Sequence, residues 1–208
     1  MKGSIYKLIE LFLIFVAAPI CFVLDFPILI KIAVGIIGFF YVLFVLLKVE
    51  GNQFKVSKNL NWKQFWKITF LKFIGIIVIT TAYVLVFSKS DLFIMPLQKT
   101  FIWVIILFVY SLFSVYPQEL IYRTFFFQRY QLLFKNEKLF ILVNATLFSL
   151  AHIFFRNALV MFLTFVGGLL FALTFKKTKS TLLVSLEHAL YGCWLFTVGM
   201  GEMLGFPS

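Results

Sequence analysis

Residues 101–134 read FIWVIILFVYSLFSVYPQELIYRTFFFQRYQLLF, an apolar stretch interrupted by Pro117, Gln118, Glu119, Arg123 and the pair Gln128-Arg129. One bilayer crossing takes about 20 residues at about 1.5 Å each, so this run is too long for a single straight span. It predicts a long membrane helix bent near Pro117, or a span followed by a helix lying at the interface.

The rest of the chain agrees with a membrane setting. Of 208 residues, 62% are hydrophobic and 13% charged, and the mean hydropathy is +1.04. A soluble domain averages about 45–50% apolar and about 25% charged, so composition excludes one. Apolar runs place spans near 5–24, 27–47, 68–87, 101–122, 139–155, 158–175 and 181–200. The fold class expected is an all-α, polytopic membrane helix bundle of about seven helices (six to eight by length), forming one integral membrane domain over 1–208. The first run contains Glu10 and is followed at once by Pro27 and a second run, which reads as a retained span and not a cleaved signal.

Charge then sets an expected topology. With the N-terminus in the cytoplasm, only Lys31, Lys89, Lys99 and Arg156 of the 19 Lys and Arg fall outside or within spans facing out. That bias favours seven spans in an integral protein of a bacterial cytoplasmic membrane, with the C-terminus outside. The net charge of +11 therefore belongs to topology. No basic block with interleaved aromatics suggests nucleic acid as a partner. The basic segment Lys48–Lys72 carries Trp62 and Trp66, a pattern suited to an interfacial helix on an anionic leaflet, with the lipid bilayer as partner. Cys21 and Cys193 lie far apart and form no C-x-x-C, so no disulfide framework or zinc ribbon is indicated.

Ionisable side chains inside spans are the candidates for chemistry, because each charge at the centre of a membrane helix costs about 2.5–3.5 kcal/mol to insert. The two histidines of the chain, His152 and His188, both lie in apolar runs. Glu119 and Arg123 stand four apart, as do Gln118 and Tyr122, which on an α-helix gives two polar stripes. Glu187 precedes His188, and neighbours on a helix point about 100° apart, so one can line a cavity while the other orients a partner. Taken singly, Glu119–Arg123 is a buried ion pair and each histidine an interior donor. Taken together, a carboxylate and two imidazoles can activate water and stabilise an oxyanion. They can also bind a divalent metal, with Glu119, His152 and His188 as ligands. H-E-x-x-H and G-x-S-x-G are both absent.

In this order and spacing, Glu119-x-x-x-Arg123, Phe148-x-x-x-His152 and the late His188 resemble the CPBP family, the CAAX-protease and bacteriocin-processing intramembrane endopeptidases related to the Ras-converting CAAX endopeptidases. The resemblance covers roughly 100–200, a protease-like core, with 1–99 as accessory N-terminal spans. It implies a membrane-associated protein or peptide substrate and a metal-independent glutamate mechanism without a cofactor. The candidate catalytic residues are then Glu119, His152 and His188, to which the residues themselves add Glu187, with Gln118, Arg123 and Tyr122 in support. Two positions depart from the family pattern: Gln118 stands where a first glutamate is usual, and Gly192 where an asparagine is usual. Glu119 or Glu187 would then be the base, Gln118 would supply the missing amide, or the chain would be an inactive member acting as a binding, scaffold or immunity factor. For these groups to meet at one depth, the fourth span has to extend well past Arg123, or the fifth has to enter late; the apolar run Thr124–Phe127 favours the first.

Overall fold

A computed structural model describes residues 2–52 and 61–205. Lys55, Lys58 and the other residues of 53–60 lie outside the described residues, so the interfacial reading of that part of the basic segment does too. The described chain is helical. Seven helices are long and apolar enough to cross a membrane: α1 Gly3–Val23, α2 Ile28–Val49, α3 Trp62–Phe87, α4 Thr100–Leu133, α5 Glu137–Phe155, α6 Ala158–Thr178 and α7 Thr181–Val198.

Polar side chains start the later helices. The Asn61 side chain accepts from Gln64 N at 3.0 Å ahead of α3. Asn136 accepts from Lys138 N at 2.9 Å ahead of α5, and Asn157 from Leu159 N at 2.9 Å ahead of α6. Ser180 accepts from Leu183 N at 3.3 Å ahead of α7. Each cap satisfies an N–H that would otherwise lack a helical partner, which matters most where no water reaches. At the other end of α7, Gly199 takes φ +108°, and a Cβ there would run into the Asp91 carbonyl.

Two boundaries differ from the sequence expectation. α3 begins at Trp62, about two turns before the apolar run at 68, so Trp62 and Trp66 sit on the span helix itself. The Asn61 cap starts the helix there, and lysines on its first turns do not interrupt backbone hydrogen bonding. α4 runs without a break to Leu133 as a 34-residue helix, carrying Glu119 far from either end. It has two wide π segments, Tyr110–Val115 and Leu120–Phe125. The first ends just before Pro117, which has no N–H and leaves the carbonyl one turn back without its usual partner. The second begins directly after Glu119.

The described residues divide into two compact units. One comprises α1, α2, α4 from Leu120 onward, α5 and α6; the other comprises α3, α4 up to Glu119, and α7. Each draws on segments from both sides of residue 100.

In the first unit the core is aromatic. Phe15 is fully buried and meets Tyr122, Phe126 and Tyr130 edge-on at 5.1, 5.1 and 5.9 Å between ring centroids. Such pairs add about 0.5–1.5 kcal/mol each beyond area burial. Arg129 donates to Glu10 at 2.8 Å and to Glu50 at 2.9 Å, tying α4 to α1 and α2. α6 approaches α5 closely at Gly168, where an added Cβ would lie 3.0 Å from the Ala145 Cα.

In the second unit α7 is held by side chains reaching in from both neighbours. The Trp194 indole donates to Thr80 on α3 at 2.9 Å. The Trp103 indole of α4 donates to Thr197 at 3.0 Å. Phe73 of α3 stacks on Tyr191 at 5.9 Å. These contacts set the rotation of α7 and hence which of its polar residues faces which helix.

Candidate active site

Glu119 ends the short α-helical turn that follows Pro117, between the two π segments of α4. His188 lies midway along α7. In the second unit their side chains meet: His188 Nδ1 is 2.7 Å from Glu119 Oε1, with Glu119 fully buried and His188 6% exposed. A carboxylate can only accept, so with Glu119 ionised it is His188 Nδ1–H that donates in this contact.

Glu187, one residue earlier, serves a different contact. Its Oε1 accepts from Lys72 Nζ of α3 at 2.8 Å and from the Tyr191 hydroxyl at 2.9 Å. The Tyr191 hydroxyl also lies 3.1 Å from the Thr69 carbonyl. Glu187 is therefore part of a charged joint between α7 and α3, on another side of α7 from the Glu119–His188 contact. Gln118 donates its amide to Ser114 Oγ, one turn back on its own helix, at 2.8 Å.

The first unit holds the other three predicted residues. Arg123, fully buried, donates from Nη1 to Asn144 Oδ1 of α5 at 2.6 Å. Its guanidinium lies over the Phe148 ring at 4.8 Å, a geometry that suits a poorly hydrated cation. Asn144 Nδ2 donates to the Tyr122 carbonyl at 2.7 Å, so one amide holds both the α4 backbone and the arginine. The Tyr122 ring is edge-on to Phe148 at 5.2 Å. His152 sits in the turn that closes the α-helical part of α5, with Nδ1 2.8 Å from the Phe148 carbonyl. A carbonyl only accepts, so Nδ1–H is the donor in this contact.

Three residues of these clusters escape a reading from motifs. Lys72 looks like one more topology lysine, but it stands inside the apolar run Thr69–Phe73, where a lone cation calls for a carboxylate. Asn144 is a single amide in the run Phe140–Ala145, the same kind of signal. Tyr110, whose ring is edge-on to His188 at 6.1 Å, carries no sequence signal among so many aromatics. Among the described residues, no group of three His, Cys, Asp or Glu side chains is arranged to hold a metal ion.

Residues 100–194 match a family model described as Rce1-like: Type II CAAX prenyl endopeptidase Rce1-like. The match runs from the start of α4 to Trp194 of α7 and is consistent with the resemblance read from Glu119, Arg123, His152 and His188. With seven helices able to cross a bilayer, it makes the chain an integral membrane protein. No curated protein and no solved structure matches the chain.

Proposed function

We propose that the chain is an intramembrane endopeptidase that hydrolyses a peptide bond of a membrane-associated protein or peptide, with Glu119 activating water and His188 supporting it. The observation that carries this reading is the 2.7 Å contact between Glu119 and His188 inside an apolar unit. The family match over 100–194 supports it independently.

The chemistry follows from the pair. A carboxylate has several acceptor positions, so Glu119 can accept from His188 Nδ1 and polarise a water together. As the water oxygen attacks the peptide carbonyl carbon, one water proton passes to Glu119 and the C=O electron pair moves onto oxygen. When the C–N bond breaks, Glu119 returns that proton to the departing amine. Burial strengthens each of these interactions, because little water competes for the charges. His188 holds the carboxylate in one orientation. Glu187 positions α7 through Lys72 and does not serve as the base. The resemblance assigns His152 a share in holding the water. The reaction so written uses no metal, and chelation should leave it unchanged.

The test is cleavage of a quenched, farnesylated C-terminal CAAX peptide and of an unprenylated membrane-anchored peptide by the purified full chain in liposomes. Glu119→Gln should lose at least about 100-fold in turnover, the scale of a general base. Turnover in Glu119→Gln and His188→Ala equal to the unmodified chain would discard the reading and leave a non-catalytic binding role in its place.

A further inference from the structure

Hydrolysis as proposed above calls for hydrogen-bond donors where the carbonyl oxygen becomes an oxyanion; Glu119 as a carboxylate only accepts, and the His188 Nδ1–H is given to Glu119. His188, Gly192 and Phe196 stand at i, i+4 and i+8 on α7, one stripe of the helix. Tyr110 lies along that stripe. Its ring is edge-on to His188 at 6.1 Å and to Phe196 at 4.9 Å. Between them, the space above Gly192 belongs to Tyr110: a Cβ built on Gly192 would fall on the Tyr110 hydroxyl and the adjoining ring carbons. The hydroxyl thus occupies the place a side chain at 192 would take, about one helical turn, or roughly 6 Å, from His188. Among the described residues it engages no hydrogen bond. Tyr110 opens the π segment of α4 that precedes Pro117, so the same wide turn that accommodates the proline also sets this ring.

We propose that Tyr110 is a catalytic hydrogen-bond donor of this site: its phenol O–H binds the substrate carbonyl oxygen and holds the oxyanion formed when Glu119-activated water attacks. This rests on the endopeptidase reading and adds a residue to it. The step is a hydrogen bond that shortens as charge develops, so no proton or electron leaves Tyr110. A neutral phenol is suited to the task, since it donates without adding a buried charge. The bare Gly192 is what makes room for it.

The experiment compares the full chain in liposomes with its Tyr110→Phe, Tyr110→Ala, Tyr110→Ala/Gly192→Asn and Glu119→Gln variants on the same two peptides. Tyr110→Phe keeps the ring that packs on His188 and Phe196 and removes only the hydroxyl. It should lower kcat by about 100- to 1000-fold, the usual loss for one oxyanion donor, with KM and unfolding temperature nearly unchanged. In Tyr110→Ala/Gly192→Asn an amide grows from the vacated space, and kcat should recover at least tenfold over Tyr110→Ala. Tyr110→Phe turning over like the unmodified chain while Glu119→Gln is dead overturns the donor role and leaves the endopeptidase reading intact. Loss in Tyr110→Phe that appears in KM or in unfolding temperature instead of kcat also overturns it, as does an unmodified chain that cleaves neither peptide faster than Glu119→Gln, which removes the endopeptidase reading as well.

Discussion

Glu187 and His188 are consecutive in the chain, yet they bond to different helices: Glu187 accepts from Lys72 of α3 at 2.8 Å, and His188 meets Glu119 of α4 at 2.7 Å. Neighbours on a helix diverge by about 100°, so α7 can face both helices of its unit with polar groups at the same height. A slip of one residue along α7 would either bring Glu187 opposite Glu119, two buried carboxylates face to face, or bring His188 opposite Lys72 and leave Glu119 facing Ala189. The Trp194, Trp103 and Tyr191 hydrogen bonds oppose such a slip.

The Lys72–Glu187 pair should act as one unit in stability. Lys72→Met leaves a fully buried carboxylate without its cation, and we expect a loss of about 1–3 kcal/mol. Lys72→Met/Glu187→Gln should be more stable than Lys72→Met alone, because the uncompensated charge is gone. Thermal unfolding of the detergent-solubilised chain, followed by tryptophan emission, measures this; strictly additive losses would show that the two side chains do not interact.

Asn144 should matter for stability through both of its hydrogen bonds. Asn144→Leu removes the acceptor for Arg123 and the donor to the Tyr122 carbonyl, with an expected cost of about 2–3 kcal/mol. Asn144→Asp keeps the acceptor toward the guanidinium and should lose less. A denaturant series on the two variants decides it, and equal losses would mean that the Tyr122 bond alone counts.

Close packing of α5 on α6 should tolerate nothing larger than glycine at 168. Gly168→Leu would press on Ala145 backbone and cost about 1–3 kcal/mol. Gly75→Ala in α3 meets nothing within 4 Å and should be neutral or stabilise by up to about 1 kcal/mol. Unfolding midpoints for the two, side by side, separate packing from helix propensity.

Topology is open to a direct measurement. With Cys21 and Cys193 replaced by serine, Lys89→Cys should react with a membrane-impermeant maleimide on intact bacteria. Lys63→Cys should react only after permeabilisation. The opposite pattern would reverse the orientation inferred from the distribution of lysine and arginine.

How much of this was legible in the sequence varies by element. Five of seven span boundaries follow from apolar runs to within a few residues, because hydrocarbon length and backbone hydrogen bonding leave little choice. α3 starts early because a cap and not hydropathy decides where a helix begins. The continuation of α4 past Arg123 was readable from Thr124–Phe127, whereas its π segments were not, since one residue more per turn leaves no mark on composition. Gln118 gives one amide N–H to Ser114, one turn back on its own helix, a contact that no motif announces.

Alone, the sequence determined that this chain is a membrane helix bundle and that the candidates Glu119, His152, Glu187 and His188 lie in the apolar runs of α4, α5 and α7, because the cost of burying charge is paid residue by residue. Which carboxylate faces which partner was decided only by tertiary structure. Glu119 and Glu187 are equivalent as letters in apolar runs. The rotation of α7, set by aromatic packing and three hydrogen bonds to its neighbours, gives one of them a histidine and the other a lysine.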